Sequence, residues 1–229
     1  MIFYDAHLHC RGNEAGGFFV GLEGVPVVAG TLDNRQVLAL HRPEERYLGF
    51  HYVAAGELQE KFSHRLLKYH PRREKYSPAE VEASIRLNRP AAVMLDTLNE
   101  PYWQPGDYWR IARAFPEILF IFAHSGGYLI QDFIKICHFQ PNIYIDFALT
   151  HTMLACYGRR PEGLPYIDEA IVYSLHAPFR RRVLLPSDTP FFDQAGVVEY
   201  YRNLDALDLL NENFITCFTQ VMEKLQECH

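Results

Sequence analysis

Short apolar runs recur along the chain, and most of them end in a polar or turn residue. Runs of this length predict β-strands, and the stretches between several of them have the spacing of amphipathic helices. The pattern therefore predicts repeated βα units. We place eight strands at residues 2–5, 25–29, 47–53, 65–69, 91–96, 118–123, 143–147 and 183–187.

The helices predicted between these strands have recognisable ends. Ser77 provides an N-cap, and Pro78 occupies the first position of a helix that continues to residue 87. Further helices are predicted at 108–114, 129–137, 167–175 and 211–225. The stretch 10–24 is rich in glycine but matches no phosphate-binding motif, and we interpret it as an adaptable loop.

Eight strands alternating with helices in 229 residues fit either a (β/α)8 barrel or a doubly wound open sheet. The strand count and the lack of a phosphate-binding first turn favour the first alternative, an α/β fold consisting of one compact (β/α)8 TIM barrel. No low-complexity linker and no shift in composition divides the chain. We therefore expect a single domain that covers residues 1–229.

Composition and charge exclude several classes of protein. Hydrophobic residues make up 48% of the chain and charged residues 22%, which is the balance of a globular protein and not of a disordered one. Lys and Arg total 22 against 28 for Asp and Glu, and the net charge is −6. Because no run of five basic residues occurs, we expect no nucleic-acid partner.

The cysteines and the first residues bear on the cellular compartment. The five cysteines are scattered without a C-x-x-C pair, which argues against both a disulfide framework and a cysteine zinc site. Asp5 and His7 interrupt what would have to be an apolar leader, and no apolar stretch approaches about 18 residues. We expect a cytoplasmic chain with no membrane partner.

Polar residues with metal-binding chemistry follow several predicted strands. His7 and His9 are two residues apart, so on a strand both side chains point to the same face. Imidazole nitrogens and carboxylate oxygens suit Zn²⁺ and similar divalent ions. A single histidine is most often structural, but barrel strands bring their carboxyl ends to one face. The side chains expected to meet there are those of His7, His9, Asp96, His124 and Asp188.

Three segments carry a resemblance to a known family. They are Asp5-Ala-His-Leu-His9 after strand one, Ile121-Phe-Ala-His-Ser-Gly-Gly127 after strand six, and Leu184-Leu-Pro-Ser-Asp-Thr-Pro-Phe191 after strand eight. In this order and spacing they resemble the amidohydrolase superfamily, in particular the amidohydrolase-related branch that includes aminocarboxymuconate-semialdehyde decarboxylase-like enzymes. Weaker similarities lie at residues 47–50, 67–71 and 142–146.

The resemblance implies a barrel with one divalent ion, usually zinc, held by His7, His9 and Asp188. It also implies that His124 lies beside the ion, and we expect His124 and Asp188 to be the catalytic residues. One departure is evident, because the family usually has a histidine at the end of strand five where this chain has Asp96. Asp96 could ligate through oxygen and favour Mn²⁺ as the alternative ion, or it could mark a site that has lost catalysis.

Further residues are candidates for contact with a substrate. Lys68, His70 and Arg72 follow strand four and could receive a substrate carboxylate, although a solvated basic loop that also includes Arg73 explains them equally well. His151 follows strand seven and could line the mouth of the pocket. His51 and Glu57, which follow strand three, are further candidates for the pocket. A cluster of aromatic residues after strand five could form a wall of the pocket or a helix-packing surface: Tyr102, Trp103, Tyr108 and Trp109.

These observations predict a metal-dependent hydrolase that uses a metal-activated water on a small, polar substrate, which we expect to carry a carboxylate. A decarboxylase or other lyase of the same branch is the alternative enzyme. A non-catalytic barrel that binds a ligand is the alternative outside enzymology. The expected partner is a small-molecule substrate, and a homo-oligomer is compatible with this assignment.

Overall fold

A parallel β-sheet is the centre of the structure. The computed structural model describes residues 2–22, 30–98, 102–148, 150 and 165–227. Within them, seven strands follow one another in the sheet in chain order, and each neighbouring pair is parallel. The strands are β1 (Asp5–Leu8), β2 (Gly17–Val20), β3 (Tyr47–Tyr52), β4 (Leu66–Tyr69), β5 (Ala92–Asp96), β6 (Leu119–Ala123) and β7 (Ile143–Ile145).

Helices connect these strands, as a parallel sheet requires. Ser77 accepts a hydrogen bond from the backbone N–H of Glu80, so the predicted cap is confirmed. Three α-helices of the described chain, α1, α2 and α7, were not predicted. The helices are α1 (Asn34–Ala39), α2 (Pro71–Glu74), α3 (Pro78–Asn88), α4 (Pro105–Ala114), α5 (Ile130–Phe139), α6 (Pro165–His176), α7 (Gln194–Asn203) and α8 (Leu207–Gln226).

The first two strands differ from the sequence-based prediction. The first strand begins at Asp5, three residues later than expected, and the predicted loop 10–24 contains β2, so both predictions were wrong there. The predicted strand 25–29 lies outside the described residues. Gly17 explains the error, because a Cβ at this position would lie 2.6 Å from the carbonyl oxygen of Asp5. Gly17 resembles a loop residue in the sequence, but its missing side chain allows β1 and β2 to approach closely.

The segment 183–189 is not the regular strand that the sequence predicted. It forms isolated parallel bridges, one between Val183 and Ile145 of β7 and one between Thr189 and Leu8 of β1. Its hydrogen bonds reach both strands, since the N–H of Leu184 donates to Ile145 O at 2.9 Å and the N–H of Ala6 donates to Leu185 O at 2.8 Å. The structure thus has a curled, TIM-type α/β fold with seven regular strands among its described residues.

The two faces of the sheet have separate apolar cores. One core lies between the sheet and the surrounding helices. On the other face, alternate strand residues pack against Phe214, Cys217 and Val221 of the C-terminal helix α8. These alternate residues are apolar where each strand begins, but the same face ends in Lys68 on β4 and Asp96 on β5. This face of the sheet is therefore apolar where the strands begin and polar where they end.

None of the described helices is both long and apolar enough to cross a membrane.

His41 and His64 both form hydrogen bonds with the backbone of Gly49 inside the fold. The ring of His64 donates from Nε2 to Gly49 O at 2.6 Å, and Gly49 N–H donates to Nδ1 of His41 at 3.2 Å. Both side chains are partly buried, and burial lowers the pKa of His64 to about 4.

We predict that His64 makes the fold acid-sensitive. Unfolded chain takes up this proton near pH 6.5 but the folded protein does so only near pH 4, so stability is complete above pH 6.5 and is lost as the pH falls toward 4. Between pH 7 and pH 4, urea titrations should show the wild-type free energy of unfolding falling by about 2–3 kcal/mol more than that of His64→Gln. Parallel pH profiles for the two proteins would contradict this.

Candidate metal and active site

A cavity opens at the carboxyl ends of the strands, the face where TIM-type enzymes carry their sites. Its volume is about 240 Å³, and it brings together residues from β1, β4, β5, β6 and the segment 183–189. Polar side chains line one part and apolar side chains another. The lining residues are His7, His9, Leu22, Lys68, His70, Arg72, Arg73, Asp96, Leu98, His124, Asp188, Phe191 and Phe192.

His7, His9 and Asp188 lie together at the base of this cavity. Asp188 Oδ1 is 3.0 Å from Nε2 of His9 and 3.7 Å from Nε2 of His7, and all three side chains are buried. The ligand atoms of this trio lie within 4.8 Å of one another. Burial would raise the pKa of Asp188, but the two imidazoles lower it to about 2.

The opposite ring nitrogens of the two histidines face oxygen atoms. Nδ1 of His9 is 3.0 Å from Val20 O at the end of β2, and Nδ1 of His7 is 3.3 Å from Oδ2 of Asp146. A carbonyl oxygen can only accept, so His9 donates from Nδ1, and its Nε2 faces Oδ1 of Asp188 at 3.0 Å. Burial, aided by the charge of Lys68, lowers the pKa of His7 and favours its neutral ring.

A second group of possible ligands overlaps the first. His7, His124 and Asp146 also place one ligand atom each within 4.8 Å of one another, and all three are buried. The rings of His7 and His124 are 4.9 Å apart between centroids. Because His7 belongs to both groups, its ring lies between the carboxylates of Asp146 and Asp188.

Asp96 lies in the cavity but belongs to neither group within the described chain. Its Oδ2 is 3.2 Å from Nε2 of His70 and 3.2 Å from Nε2 of His124, with a guanidinium nitrogen of Arg72 at 3.9 Å. Burial would raise the pKa of Asp96, but His70 and His124 hold it below its usual range. Burial would lower the pKa of His124, but Asp96 raises it above its ordinary value. The carboxylate of Asp96 therefore lies between the imidazoles of His70 and His124.

Two of these residues have a left-handed backbone. The φ angle is 67° at His124 and 58° at Asp188, a region that side chains other than glycine seldom adopt. Hydrogen bonds hold both positions, because the N–H of His124 donates to Oδ1 of Asp146 at 2.7 Å and the N–H of Asp188 donates to His7 O at 2.9 Å. The strand ends are therefore fixed in a conformation that aims both side chains into the cavity.

The remaining sequence candidates divide into two groups. Lys68, His70 and Arg72 line the cavity, and the fully buried Nζ of Lys68 has no hydrogen-bond partner among the described residues. Burial lowers the pKa of Lys68, which nearby carboxylates oppose. His151 lies outside the described residues. The lining of the described cavity does not include His51, Glu57, Tyr102, Trp103, Tyr108 or Trp109.

A larger groove, of about 420 Å³, lies near the amino ends of β4, β5 and β6. Its basic side chain Arg65 donates to the carbonyl oxygens of Lys224 and Leu225 in the last turn of α8. These bonds attach α8 to the sheet. The acid–base and metal-ligand side chains lie in the smaller cavity, which is the better candidate for chemistry.

Sequence reasoning gave no role to Asp5, Gln194 or Asp146. Oδ1 of Asp5 accepts the N–H of His7 at 3.1 Å and that of Ser187 at 3.0 Å, while Oδ2 accepts from Nε2 of Gln194 at 3.0 Å. Burial raises the pKa of Asp5 to about 7. Both aspartates stood inside the motifs that carried the resemblance, but their partners are far away in sequence. Asp5 therefore links β1 to the segment that carries Asp188.

Solved structures with a similar fold include one TIM-barrel protein and two proteins assigned as hydrolases. An uncharacterised TIM-barrel protein from Bordetella bronchiseptica superimposes with a TM-score of 0.64 at 15% identity, covering 91% of this chain and 79% of that one. A protein from Pseudomonas putida assigned as a 2-pyrone-4,6-dicarboxylic acid hydrolase gives a TM-score of 0.58 at 14% identity and covers 96% and 97%. One from Acinetobacter baumannii with the same assignment, whose structure holds citric acid, gives 0.53 at 14% identity and covers 95% and 98%.

The family follows from the sequence. The model of the amidohydrolase family Amidohydro_2 matches residues 32–226, so the chain belongs to this family. The resemblance derived from the strand-end motifs is thereby confirmed. The matched range begins beyond His7 and His9, which enter the site through β1. No curated protein matches the chain.

We predict that removing the Asp5 carboxylate destabilises the site by exposing unpaired donors. Asp5→Ala leaves the backbone N–H groups of His7 and Ser187 buried without their acceptor, which should lower the free energy of unfolding by about 2–5 kcal/mol. Asp5→Asn is the matched control, because its amide oxygen can still accept both bonds; it loses only the acceptor of Gln194 Nε2, so its loss should be the smaller of the two. Urea unfolding at pH 7 measures the difference, and equal losses in the two variants would refute the explanation.

Proposed function

We propose that this chain is a metal-dependent hydrolase that acts on a small, polar, carboxylate-bearing substrate. The observation that carries the proposal is the convergence of His7, His9 and Asp188 at the base of a cavity. Membership in the amidohydrolase family supports the general class of hydrolase or lyase. The finer assignment to hydrolysis rests on the acid–base groups around the trio.

The three side chains fit one divalent ion. Two neutral imidazoles and one carboxylate match the ligands of a catalytic zinc, which keeps a further position open. The acceptor beside each Nδ1 leaves the Nε2 atoms of both histidines directed toward Asp188. We favour this trio over the group of His7, His124 and Asp146, because Oδ1 of Asp146 accepts from the N–H groups of His124 and Ala148 and its Oδ2 faces the Nδ1 atom of His7.

Zinc is the ion we propose, with Mn²⁺ as the alternative if Asp96 contributes an oxygen ligand. Such an ion supplies Lewis acidity and lowers the pKa of a water to about 7. We assign His124 the role of proton carrier, because Oδ2 of Asp96 lies 3.2 Å from its Nε2 and stabilises the protonated ring. Asp188 orients His7 and His9, and its role as the second catalytic residue stays a prediction. His124 as an additional ligand stays a prediction.

The two walls of the cavity suggest the substrate. Lys68 and Arg72 offer positive charge on one side, with His70 between them in sequence, while Phe191 and Phe192 form an apolar wall. A small molecule with a carboxylate and a less polar body suits such a cavity. The hydrolase assignments of two structural neighbours, and the citric acid held by one of them, support a carboxylate. His151 stays a prediction for the mouth.

We also propose that the segment 183–189 replaces the eighth strand of a (β/α)8 barrel. Its bridges to β7 and to β1 support this. Closure of this kind matters for function, since it brings Asp188 next to residues at the other end of the chain. A lyase of the same branch would use the same site, and release of carbon dioxide during turnover would distinguish it from a hydrolase.

We predict that the double variant His7→Ala/His9→Ala loses its metal. Protein purified without a chelator should hold close to one equivalent of zinc, and the variant should hold none because one carboxylate cannot retain the ion. Mass spectrometry of digested protein measures the content. The matched control is His138→Ala, a surface histidine that contacts Tyr173. Unchanged metal content in the double variant would disprove the assigned ligands.

We predict that Arg72→Leu weakens the binding of a carboxylate ligand. Loss of a charge-assisted contact at a half-exposed position should lower the affinity for citrate about 10-fold. Calorimetry is done on metal-free protein, because citrate chelates zinc. Arg181→Leu is the control, since this exposed arginine pairs with Glu212. Equal citrate affinity for Arg72→Leu and the wild type would place the carboxylate elsewhere.

A further inference from the structure

The two oxygens of Asp146, just beyond the end of β7, have different neighbours. Oδ1 accepts the backbone N–H of His124 at 2.7 Å and that of Ala148 at 3.2 Å. Oδ2 lies 3.3 Å from Nδ1 of His7. The side chain is fully buried, so every polar atom in this arrangement needs a partner inside the protein.

Oδ2 of Asp146 and Nδ1 of His7 are two buried polar atoms that face each other. Neither Oδ2 of Asp146 nor Nδ1 of His7 has a hydrogen-bond partner in the described part of the chain, and the 3.3 Å contact between them is an ion-pair contact. A buried donor left without an acceptor costs about 1–3 kcal/mol. A small rotation of the His7 ring that lets Nδ1–H donate to Oδ2 would remove that cost for both atoms.

We propose that Asp146 is a positioning residue that fixes the tautomer of His7. A carboxylate oxygen accepts only, and Oδ2 of Asp146 lies nearer to Nδ1 (3.3 Å) than Oδ1 of Asp188 lies to Nε2 (3.7 Å), so His7 carries its hydrogen on Nδ1 and keeps the lone pair of Nε2 for a metal ion. In the other tautomer, the hydrogen on Nε2 would occupy the position where a metal ligand needs its lone pair. The same carboxylate also holds the backbone of His124, so one side chain orients two members of the site.

The two N–H donors on Oδ1 make this inference testable with an isosteric variant. In Asp146→Asn the amide oxygen must stay where Oδ1 is, because an NH₂ group there would face the N–H groups of His124 and Ala148. The NH₂ group is then directed at Nδ1 of His7. Since it can only donate, it selects the His7 tautomer with the hydrogen on Nε2.

The consequence for zinc rests on the proposed function, whereas the tautomer itself is a property of the metal-free protein. Two-bond ¹H–¹⁵N correlation spectra of metal-free, histidine-labelled protein report the tautomer, and loss of one set of signals in His7→Gln assigns His7. We expect hydrogen on Nδ1 in the wild type and on Nε2 in Asp146→Asn. Zinc affinity, measured by competition with a chromophoric chelator, should fall about 10–100-fold in Asp146→Asn.

Asp5→Asn is the matched control, because Asp5 is also a buried aspartate with backbone N–H donors but contacts no imidazole. It should leave the His7 tautomer as in the wild type. Hydrogen on Nε2 of His7 in the wild type, or the same tautomer in Asp146→Asn, would overturn the inference. If Asp146→Asn does not fold, the wild-type spectrum alone decides. A wild type with the expected tautomer that binds no zinc would instead refute the proposed function.

Discussion

The site depends on the hydrogen bonds that hold residues 185–189 against β1. Asp188 N–H donates to His7 O, and His9 N–H donates to Thr189 O, both at 2.9 Å. These bonds bring a carboxylate within 3.0 Å of an imidazole that is nearly the whole chain away in sequence. Asp5 also stabilises this junction, because its carboxylate accepts the N–H groups of His7 and Ser187. Without this junction Asp188 would not reach His7 and His9, and the proposed metal ligands would not meet at the bottom of the cavity.

Charge balance is the second constraint on the site. Three fully or nearly fully buried aspartates, at positions 96, 146 and 188, surround the cavity base. Each carboxylate must be neutralised by a proton, a cation or hydrogen-bond donors, because burial disfavours a bare charge. Asp96 has two imidazoles, Asp146 has backbone N–H groups, and the buried ammonium of Lys68 adds one positive charge. A divalent cation beside Asp188 would complete this balance.

The sequence predicted which residues line the cavity better than it predicted the strands that carry them. His7, His9, Asp96, His124 and Asp188 were found from their places after apolar runs, because strands of a parallel sheet bring such ends together. Local patterns could not reveal β2, since Gly17 has the appearance of a loop residue and its close approach to Asp5 is a tertiary property. The sequence predicted a regular strand at 183–187 but not its irregular form, because its two bridges depend on partners in β1 and β7.

Helix α8 limits how a ligand can enter and leave the cavity. Phe214, Cys217 and Val221 of this helix fill the apolar face of the sheet beneath the polar strand ends. A molecule in the cavity is thus backed by packed side chains and cannot leave on the side of α8. Under the proposed function, substrate and product would both pass through the other side of the cavity, so a product that keeps its carboxylate would compete with the next substrate for Lys68 and Arg72. Product retention would then slow turnover.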